Sequence, residues 1–147
     1  MSTPRPLRHD RGPPLFVYGT LLCPEIWALV VRAPAARRPA HLRDHRRGPI
    51  VGEVFPGVVP QPGARVEGAL LAALPPAARA RLDAYEGSLY ARTPVRVHLP
   101  GGHRVAAETY LVAPSHRDLV APGDWSLPAF RASALPAFLA ALRDLAT

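Results

Sequence analysis

The sequence predicts an α+β fold, namely a small mixed β-barrel flanked by helices. Strand candidates occur early and late in the chain with helix candidates between them, and one hairpin signal is clear. That signal is Pro100-Gly101-Gly102, which separates the alternating run around Val95 and Val97 from the return strand Val105 to Val112. At 147 residues the chain is large enough for one domain with a real core. We therefore expect a mobile tail over residues 1–13 and a single domain over residues 14–147.

The composition is typical of a folded protein that does not cross a membrane. Hydrophobic residues make up 48% of the chain, which argues against global disorder. No apolar run is as long as a membrane span, and the Pro/Arg-rich start lacks an apolar signal segment. Cys23 is the one cysteine, so no internal disulfide can form and we expect a cytoplasmic protein. We interpret Cys23 as a small buried hydrophobe rather than a catalytic thiol.

The net charge of +7 raises the question of nucleic-acid binding. All 18 basic residues are arginine, which indicates a compositional bias rather than a groove selected for phosphate. The arginines are scattered apart from Arg37-Arg38 and the stretch from Arg43 to Arg47. No aromatic residues interleave with them, as a single-strand platform would require. The prediction is that nucleic acid is not a partner.

The first elements follow from an apolar run and two prolines. Leu15 to Tyr18 is read as a short buried strand, and Gly19-Thr20-Leu21 as the turn that leaves it. Pro24 suits a first helical turn, so a short helix is predicted from Pro24 to Arg32. Ala33 to Pro39 is read as a loop.

The next stretch contains two histidines at a spacing that occurs in metal sites. His41 and His45 lie four residues apart, which on a helix places both imidazoles on one face. No third ligand is near, and Gly48-Pro49 interrupts the stretch, so we predict a solvated charged segment and no metal site. Pro49 to Val54 is then a strand candidate, and Phe55 to Pro60 a rigid loop.

The second half of the chain gives clearer signals. Gly68 lies inside a strand candidate, which often marks a bulge or a close approach. Gly87 is the natural end of a helix that starts after Pro75-Pro76. The predicted elements are, in order, a strand from Arg65 to Leu74, a helix from Ala77 to Glu86, a strand around Val95 and Val97, a return strand from Val105 to Val112, a loop from His116 to Trp125, and an amphipathic helix from Leu127 to Leu145 that contains Pro136.

Two of these stretches offer chemistry. The turn after the first strand can leave backbone N–H groups free for an anion or a carbonyl oxygen, and Gly19 keeps the backbone accessible. Glu86 lies at a helix C-terminus, where burial and the helix dipole would raise the pKa of its carboxyl and suit it to general acid–base work. The alternatives are a core strand that simply turns, and a surface Glu86 paired with Arg79 or Arg92. Asp83 and Glu86 are also helix neighbours that resemble a metal or glycosidase pair, although an ion pair of Asp83 with Arg79 is simpler.

The chain resembles the γ-glutamylcyclotransferase-like family, closest to its small bacterial and plant avirulence-induced-gene-like branch. The resemblance covers about residues 14 to 145. It implies a mixed β-barrel and a pocket in which the Tyr-Gly-Thr-Leu loop faces one glutamate, which here is Glu86. Leu21 stands where the animal glutathione-pathway branch has Asn, so the chain is more similar to the γ-glutamylamine branch. The motifs are Val17-Tyr18-Gly19-Thr20-Leu21, Phe55-Pro56-Gly57, Val66-Glu67-Gly68, the stretch from Leu82 to Arg92 with Tyr85-Glu86-Gly87 and Tyr90, and a loop with Trp125 before the last helix.

The resemblance implies cleavage of a γ-glutamyl amide by cyclisation, which yields 5-oxoproline and a free amine. Glu86 is expected to be the general acid and base, and Tyr18, Gly19, Thr20 and Leu21, with Tyr90, are expected to bind the substrate. No metal or cofactor is expected, because the α-amino group of the substrate is the nucleophile. The expected partner is the small-molecule substrate, with no membrane or nucleic acid, in a monomer or homodimer. The alternative is a non-catalytic module that binds a small acidic metabolite in the same pocket.

Overall fold

The computed structural model describes residues 12–146, which form five strands and four helices. Residues 1–11 of the expected tail lie outside the described part. Three short segments are 3-10 helices, namely Thr20–Leu22, Gly87–Leu89 and Pro114–Leu119. The strands are β1 Leu15–Val17, β2 Arg37–Pro49, β3 Pro56–Leu71, β4 Tyr90–His98 and β5 Arg104–Val112, and the helices are α1 Pro24–Val30, α2 Pro76–Glu86, α3 Leu127–Ser133 and α4 Leu135–Ala146.

The five strands form a closed barrel in the order β1-β3-β2-β4-β5, which confirms the predicted fold. β1 closes the barrel by pairing antiparallel to β3 and parallel to β5, where Leu15 lies opposite Glu108. β4 and β5 form the predicted hairpin, paired from Tyr90↔Val112 to His98↔Arg104. Closure leaves no strand of this sheet with a free edge along its whole length.

Side chains of β1 alternate between two apolar cores, as the period of two along a strand requires. Phe16 belongs to a core made of strand residues and their flanks, which fills the barrel. Leu15 and Val17 belong to a second core between the barrel and the helices. Cys23 is fully buried in that second core as a free thiol, which agrees with its reading as a small hydrophobe.

The sequence prediction was wrong for β2. Residues 37–49 form a 13-residue strand rather than a loop followed by a solvated charged segment. Only Ala40, Leu42 and Gly48 of this strand are buried, so its apolar alternation is sparse and arginines mask it. His41 therefore lies in a strand and stacks on His98 of β4, with ring centroids 5.2 Å apart, instead of sharing a helix face with His45.

The prediction was also wrong between residues 49 and 60. The expected strand from Pro49 to Val54 is a turn after the single bridge of Ile50, and the expected loop from Phe55 to Pro60 belongs mostly to β3. The prolines hid this strand because they cannot donate to a ladder. Pro60 lies where the β2–β3 register shifts, and the left-handed Asp44 (φ 60°) accepts a hydrogen bond from the Gly63 N–H there.

The predicted closing helix is two helices, α3 and α4. Pro136 lies in the first turn of α4, where its missing N–H is tolerated, but it could not have continued α3. The other helices agree with expectation within a few residues, and Gly87 ends α2 with φ 70°. Within residues 12–146, the helices are all too short or too polar to cross a membrane.

Candidate active site

A cavity of about 330 Å³ opens between the barrel and the ends of α2 and α4. Its walls come from residues 16–21, parts of 53–56 and 85–90, Tyr110 of β5 and Phe138 of α4. All the site residues named from the sequence line this cavity, namely Tyr18, Gly19, Thr20, Leu21, Glu86 and Tyr90. The structure thus brings the two informative stretches together. The chemical role of each residue stays a prediction.

The turn after β1 presents backbone donors. The N–H groups of Leu22 and Cys23 close the 3-10 turn by donating to the carbonyls of Gly19 and Thr20, both at 2.9 Å. Within the described residues, the N–H groups of Gly19, Thr20 and Leu21 donate to no protein acceptor, as is expected for the first turn of a helix. Three successive free donors in a cavity wall suit an anion or a developing oxyanion.

Gly19 is required by a neighbour. A Cβ atom at this position would lie 2.9 Å from Cγ and 3.2 Å from Cδ of Pro56, closer than side chains normally pack. Pro56 opens β3 and lines the same cavity. The absence of a side chain therefore lets the turn pack directly on β3, which fixes one wall of the site.

Glu86 is the last residue of α2 and is half-buried in the cavity wall. No residue of the described chain forms a hydrogen bond or an ion pair with its carboxylate. Burial, and then the charge of Asp83, raises the pKa of Glu86 to about 8. This carboxyl can therefore exchange a proton near neutral pH.

The surface alternative for Glu86 does not hold. Arg79 pairs with Glu108 at 2.9 Å, and Arg92 lies 3.6 Å from Asp83 and 3.8 Å from Glu108. Asp83 is thus not the partner of Arg79, as its helical spacing suggested. Its Oδ1 accepts a hydrogen bond from the hydroxyl of Tyr110, another residue of the cavity wall.

The two tyrosines named from the sequence have their protons engaged with the backbone. The Tyr18 hydroxyl donates to the carbonyl of Tyr110, and the Tyr90 hydroxyl donates to the carbonyl of Pro56 at 2.7 Å. Burial is the largest effect on both phenols and raises the pKa of each. These residues shape the cavity, and only their oxygen lone pairs are left for a ligand.

Sequence reasoning missed Tyr85 and Phe138 as residues of the site. The hydroxyls of Tyr85 and Thr20 share a hydrogen bond of 2.7 Å, which joins the end of α2 to the turn across 65 residues of sequence. Phe138 packs edge-on against Tyr85 with ring centroids 6.5 Å apart. Tyr85 precedes Glu86, but its position on the apolar face of the helix suggested a core residue. Nothing in the sequence pointed to Phe138.

A family profile described as "Gamma-glutamyl cyclotransferase, AIG2-like" matches residues 15–127, about three quarters of the chain. The chain belongs to this family. The resemblance seen in the sequence motifs is thereby confirmed, and the matched range contains all the site residues that the sequence named.

Relatives and solved structures that are similar to this protein cover most of the chain. Protein AIG2 C of Arabidopsis thaliana is 27% identical over 146 residues, which cover 99% of this chain and 86% of that protein. A protein of Arabidopsis thaliana solved in solution has a TM-score of 0.67 at 25% identity, and the match covers 90% of this chain and 81% of that one. A structure named gamma-glutamyl cyclotransferase has a TM-score of 0.61 at 20% identity, covering 89% and 86%, and shows the shared fold.

The described residues of this cyclotransferase-like protein contain no cluster of side chains that could hold a metal ion. No three side chains of His, Cys, Asp or Glu come together there. The cavity wall holds two carboxylates, Glu53 and Glu86, and its other polar groups are hydroxyls and backbone. The arrangement suits proton transfer by a carboxyl beside a set of neutral backbone donors.

Proposed function

We propose that the protein is a γ-glutamyl cyclotransferase-type enzyme that converts a γ-glutamyl amide, of an amino acid or an amine, to 5-oxoproline and the free amine. One observation carries this proposal. Glu86, unpaired and with a pKa raised to about 8, shares a cavity of about 330 Å³ with the free donors of Gly19, Thr20 and Leu21. A volume at the lower end of ligand pockets suits a small metabolite.

The substrate carries its own nucleophile. Its α-amino nitrogen attacks the γ-carbonyl carbon, a C–N bond forms in the five-membered ring, and the original amide C–N bond breaks. The enzyme has to fold the γ-glutamyl chain so that these atoms meet, and good orientation can lower the barrier by several kcal/mol. The apolar and aromatic wall of the cavity, with Tyr18 and Tyr90, would restrict the chain in this way.

Glu86 would serve as base and then as acid. In its ionised form it takes a proton from the α-ammonium group as attack begins, and it gives a proton to the leaving nitrogen as the tetrahedral intermediate collapses. One carboxyl group can do both because the two nitrogens are bonded to the same carbon at that stage. With a pKa of about 8, the carboxyl group can both accept and release a proton near neutral pH.

The turn would stabilise negative charge. The N–H groups of Gly19, Thr20 and Leu21 can bind the oxygen of the reacting carbonyl or the α-carboxylate of the substrate. They are backbone groups held by a 3-10 turn, so they need little reorganisation when charge develops.

The direct test is a screen of γ-glutamyl amides with detection of 5-oxoproline, run on the wild type, Glu86→Gln and Glu67→Gln. We expect Glu86→Gln to fold and bind but to lose roughly a hundredfold or more in rate, because the amide keeps the shape without the base. Glu67 is an exposed carboxylate paired with Arg65 and lies outside the cavity, so Glu67→Gln should keep wild-type turnover.

Two outcomes would contradict the proposal. Near-normal turnover by Glu86→Gln would mean that another group is the base, with Asp83 the first candidate. Tight binding of γ-glutamyl amides without any 5-oxoproline would favour the alternative, a non-catalytic module that binds a small acidic metabolite.

A further inference from the structure

All backbone carbonyls of the loop formed by residues 18–22 are occupied. Its outer carbonyls accept from arginine side chains of β2, and its inner ones from the turn itself. The five bonds are Arg47 Nη1 to Tyr18 O at 2.8 Å, Leu22 N to Gly19 O at 2.9 Å, Cys23 N to Thr20 O at 2.9 Å, Arg37 Nη2 to Leu21 O at 3.3 Å and Arg37 Nη1 to Leu22 O at 3.1 Å.

The free donors of the 18–22 loop contrast with these occupied carbonyls. In a trans peptide the C=O bond and the N–H bond of the next residue lie in one plane and point in opposite directions. A bond that holds the carbonyl of Tyr18 therefore also sets the direction of the Gly19 N–H. Arg47 makes that bond, so it fixes the first of the three donors.

Arg37 acts one step further along the same loop. It donates to the carbonyl of Leu21, which orients the peptide between Leu21 and Leu22 and so the N–H of Leu22. The Leu22 N–H donates to the carbonyl of Gly19, and this bond orients the next peptide and so the N–H of Thr20. The second donor is thus fixed through a chain of two hydrogen bonds that starts at Arg37.

Both guanidinium groups are held in place on their other sides. Arg47 binds both carboxylate oxygens of Asp124, at 2.8 and 3.1 Å, and lies over the ring of Trp125 at 5.5 Å. Arg37 lies over the ring of Trp27 at 5.7 Å. Planar stacking and bidentate bonding limit the directions in which a guanidinium can donate.

Among the described residues, the cavity wall offers an anion no cationic side chain. Its wall contains no arginine or histidine among the described residues, and the chain has no lysine. A carboxylate inside it would find neutral donors, namely the three loop N–H groups and hydroxyls of the wall such as that of Ser88, and the two guanidinium charges lie behind the loop.

We propose that Arg37 and Arg47 are positioning residues that hold the carbonyls of the 18–22 loop away from the cavity and so aim its N–H groups at a carboxylate of the ligand. The choice of ligand rests on the proposed function, in which the product 5-oxoproline carries that carboxylate. The arginines themselves do not line the cavity.

The test compares binding of 5-oxoproline and of its uncharged carboxamide, by calorimetry, to the wild type, Arg47→Met, Arg37→Met and Arg65→Gln. We expect each methionine variant to lose roughly tenfold or more in affinity for 5-oxoproline, the size of one hydrogen bond to a charged group. The carboxamide should bind all variants alike. Arg65 pairs with Glu67 away from the loop, so Arg65→Gln is the matched control.

The variant Arg47→Lys separates positioning from charge. Lysine keeps the positive charge but cannot reach the carbonyl of Tyr18 while binding Asp124 through two parallel bonds. We expect this variant to lose affinity for 5-oxoproline as well. Wild-type affinity in Arg47→Lys, or an equal loss for both ligands in the methionine variants, would overturn the proposal.

A measurement on the wild type covers the case in which a variant does not fold. Titration with 5-oxoproline should move the backbone amide resonances of Gly19, Thr20 and Leu21, and the carboxamide should move them much less. An absence of binding, or unmoved amides, would overturn the inference even if γ-glutamyl amides are turned over. Charge-selective binding without any turnover would keep the inference and reject the proposed function.

Discussion

At the scale of the single residue, Glu86 occupies an unfavourable place for a negative charge. It ends α2, where the helix dipole is negative, and burial and Asp83 raise its pKa to about 8. This much could be predicted in outline, since Gly87 marked the helix end and the neighbours were apolar. The unpaired state of the carboxylate could not be predicted, because Arg79 and Arg92 were both close enough in sequence to pair with it.

The pH dependence of the reaction follows from this residue. In the proposed mechanism the ionised form of Glu86 is the base, so kcat/KM should rise with pH and level off above about 8, the pKa of Glu86 in the free enzyme. Titration of the substrate ammonium should bend the profile at higher pH. A profile that is flat from pH 5 to pH 9 on a confirmed substrate would contradict the assignment.

Stability should change with pH in the opposite sense. Between the ordinary value of 4.5 and about 8, the folded state keeps the proton on Glu86 while the unfolded state releases it. Unfolding is therefore favoured increasingly as pH rises through that window, and the penalty is complete above the folded pKa. Glu86→Gln should match the wild type at pH 4 and be more stable at pH 8, as measured by thermal melts. A Gln variant that is less stable at pH 8 would indicate a stabilising ion pair instead.

At the scale of the element, prediction succeeded where local signals decide the structure. Pro24 and Pro76 sit in first helical turns, and Gly101-Gly102 turns the hairpin with positive φ values. It failed for β2 and the start of β3, where charged residues and prolines occupy strand positions because barrel pairing overrides local propensity. The prediction also treated α3 and α4 as one helix, because the apolar residues keep their helical spacing across the break.

The turn after β1 gives a prediction at this scale. Gly19→Ala would place a Cβ 2.9 Å from Pro56, so the turn must shift by a few tenths of an ångström. We expect roughly a tenfold loss of kcat/KM, because in the proposed mechanism the N–H groups of this turn bind the substrate, and small displacements of such donors slow a reaction. The melting temperature should fall by only a few degrees. Unchanged activity with a large loss of stability would show that the turn has no part in the reaction.

At the scale of the whole molecule, closure of the barrel and the packing of α2 beside it bring the site together from distant parts of the chain. The Tyr18 hydroxyl bonds to Tyr110, 92 residues away, and Thr20 to Tyr85, 65 residues away. Spacing in sequence could not reveal such contacts, and the family resemblance alone brought Glu86 and the turn together in advance. The order of the strands and the parallel β1–β5 contact had no signal in the residues.

Closure also gives a prediction. A Cβ at Gly68 of β3 would lie 2.2 Å from the carbonyl oxygen of Val17 and 2.8 Å from the ring of Phe16, so β1 packs directly on this backbone. Gly68→Ala should lower the free energy of unfolding by about 1–3 kcal/mol or more, through overpacking. Urea denaturation measures this loss. An unchanged midpoint would mean that the barrel accommodates the extra methyl group without loss of stability, against the prediction.

The position of β1 in the barrel has a consequence for synthesis on the ribosome. Leu15, Phe16 and Val17 leave the ribosome well before their partners, which are residues 69–71 of β3 and Glu108 of β5. An apolar strand that waits for both neighbours is open to pairing with other nascent chains. Of the five described strands, the first to be synthesised is therefore among the last to be paired. The cavity wall to which Phe16 and Val17 contribute is complete only after Phe138 of α4 has been synthesised.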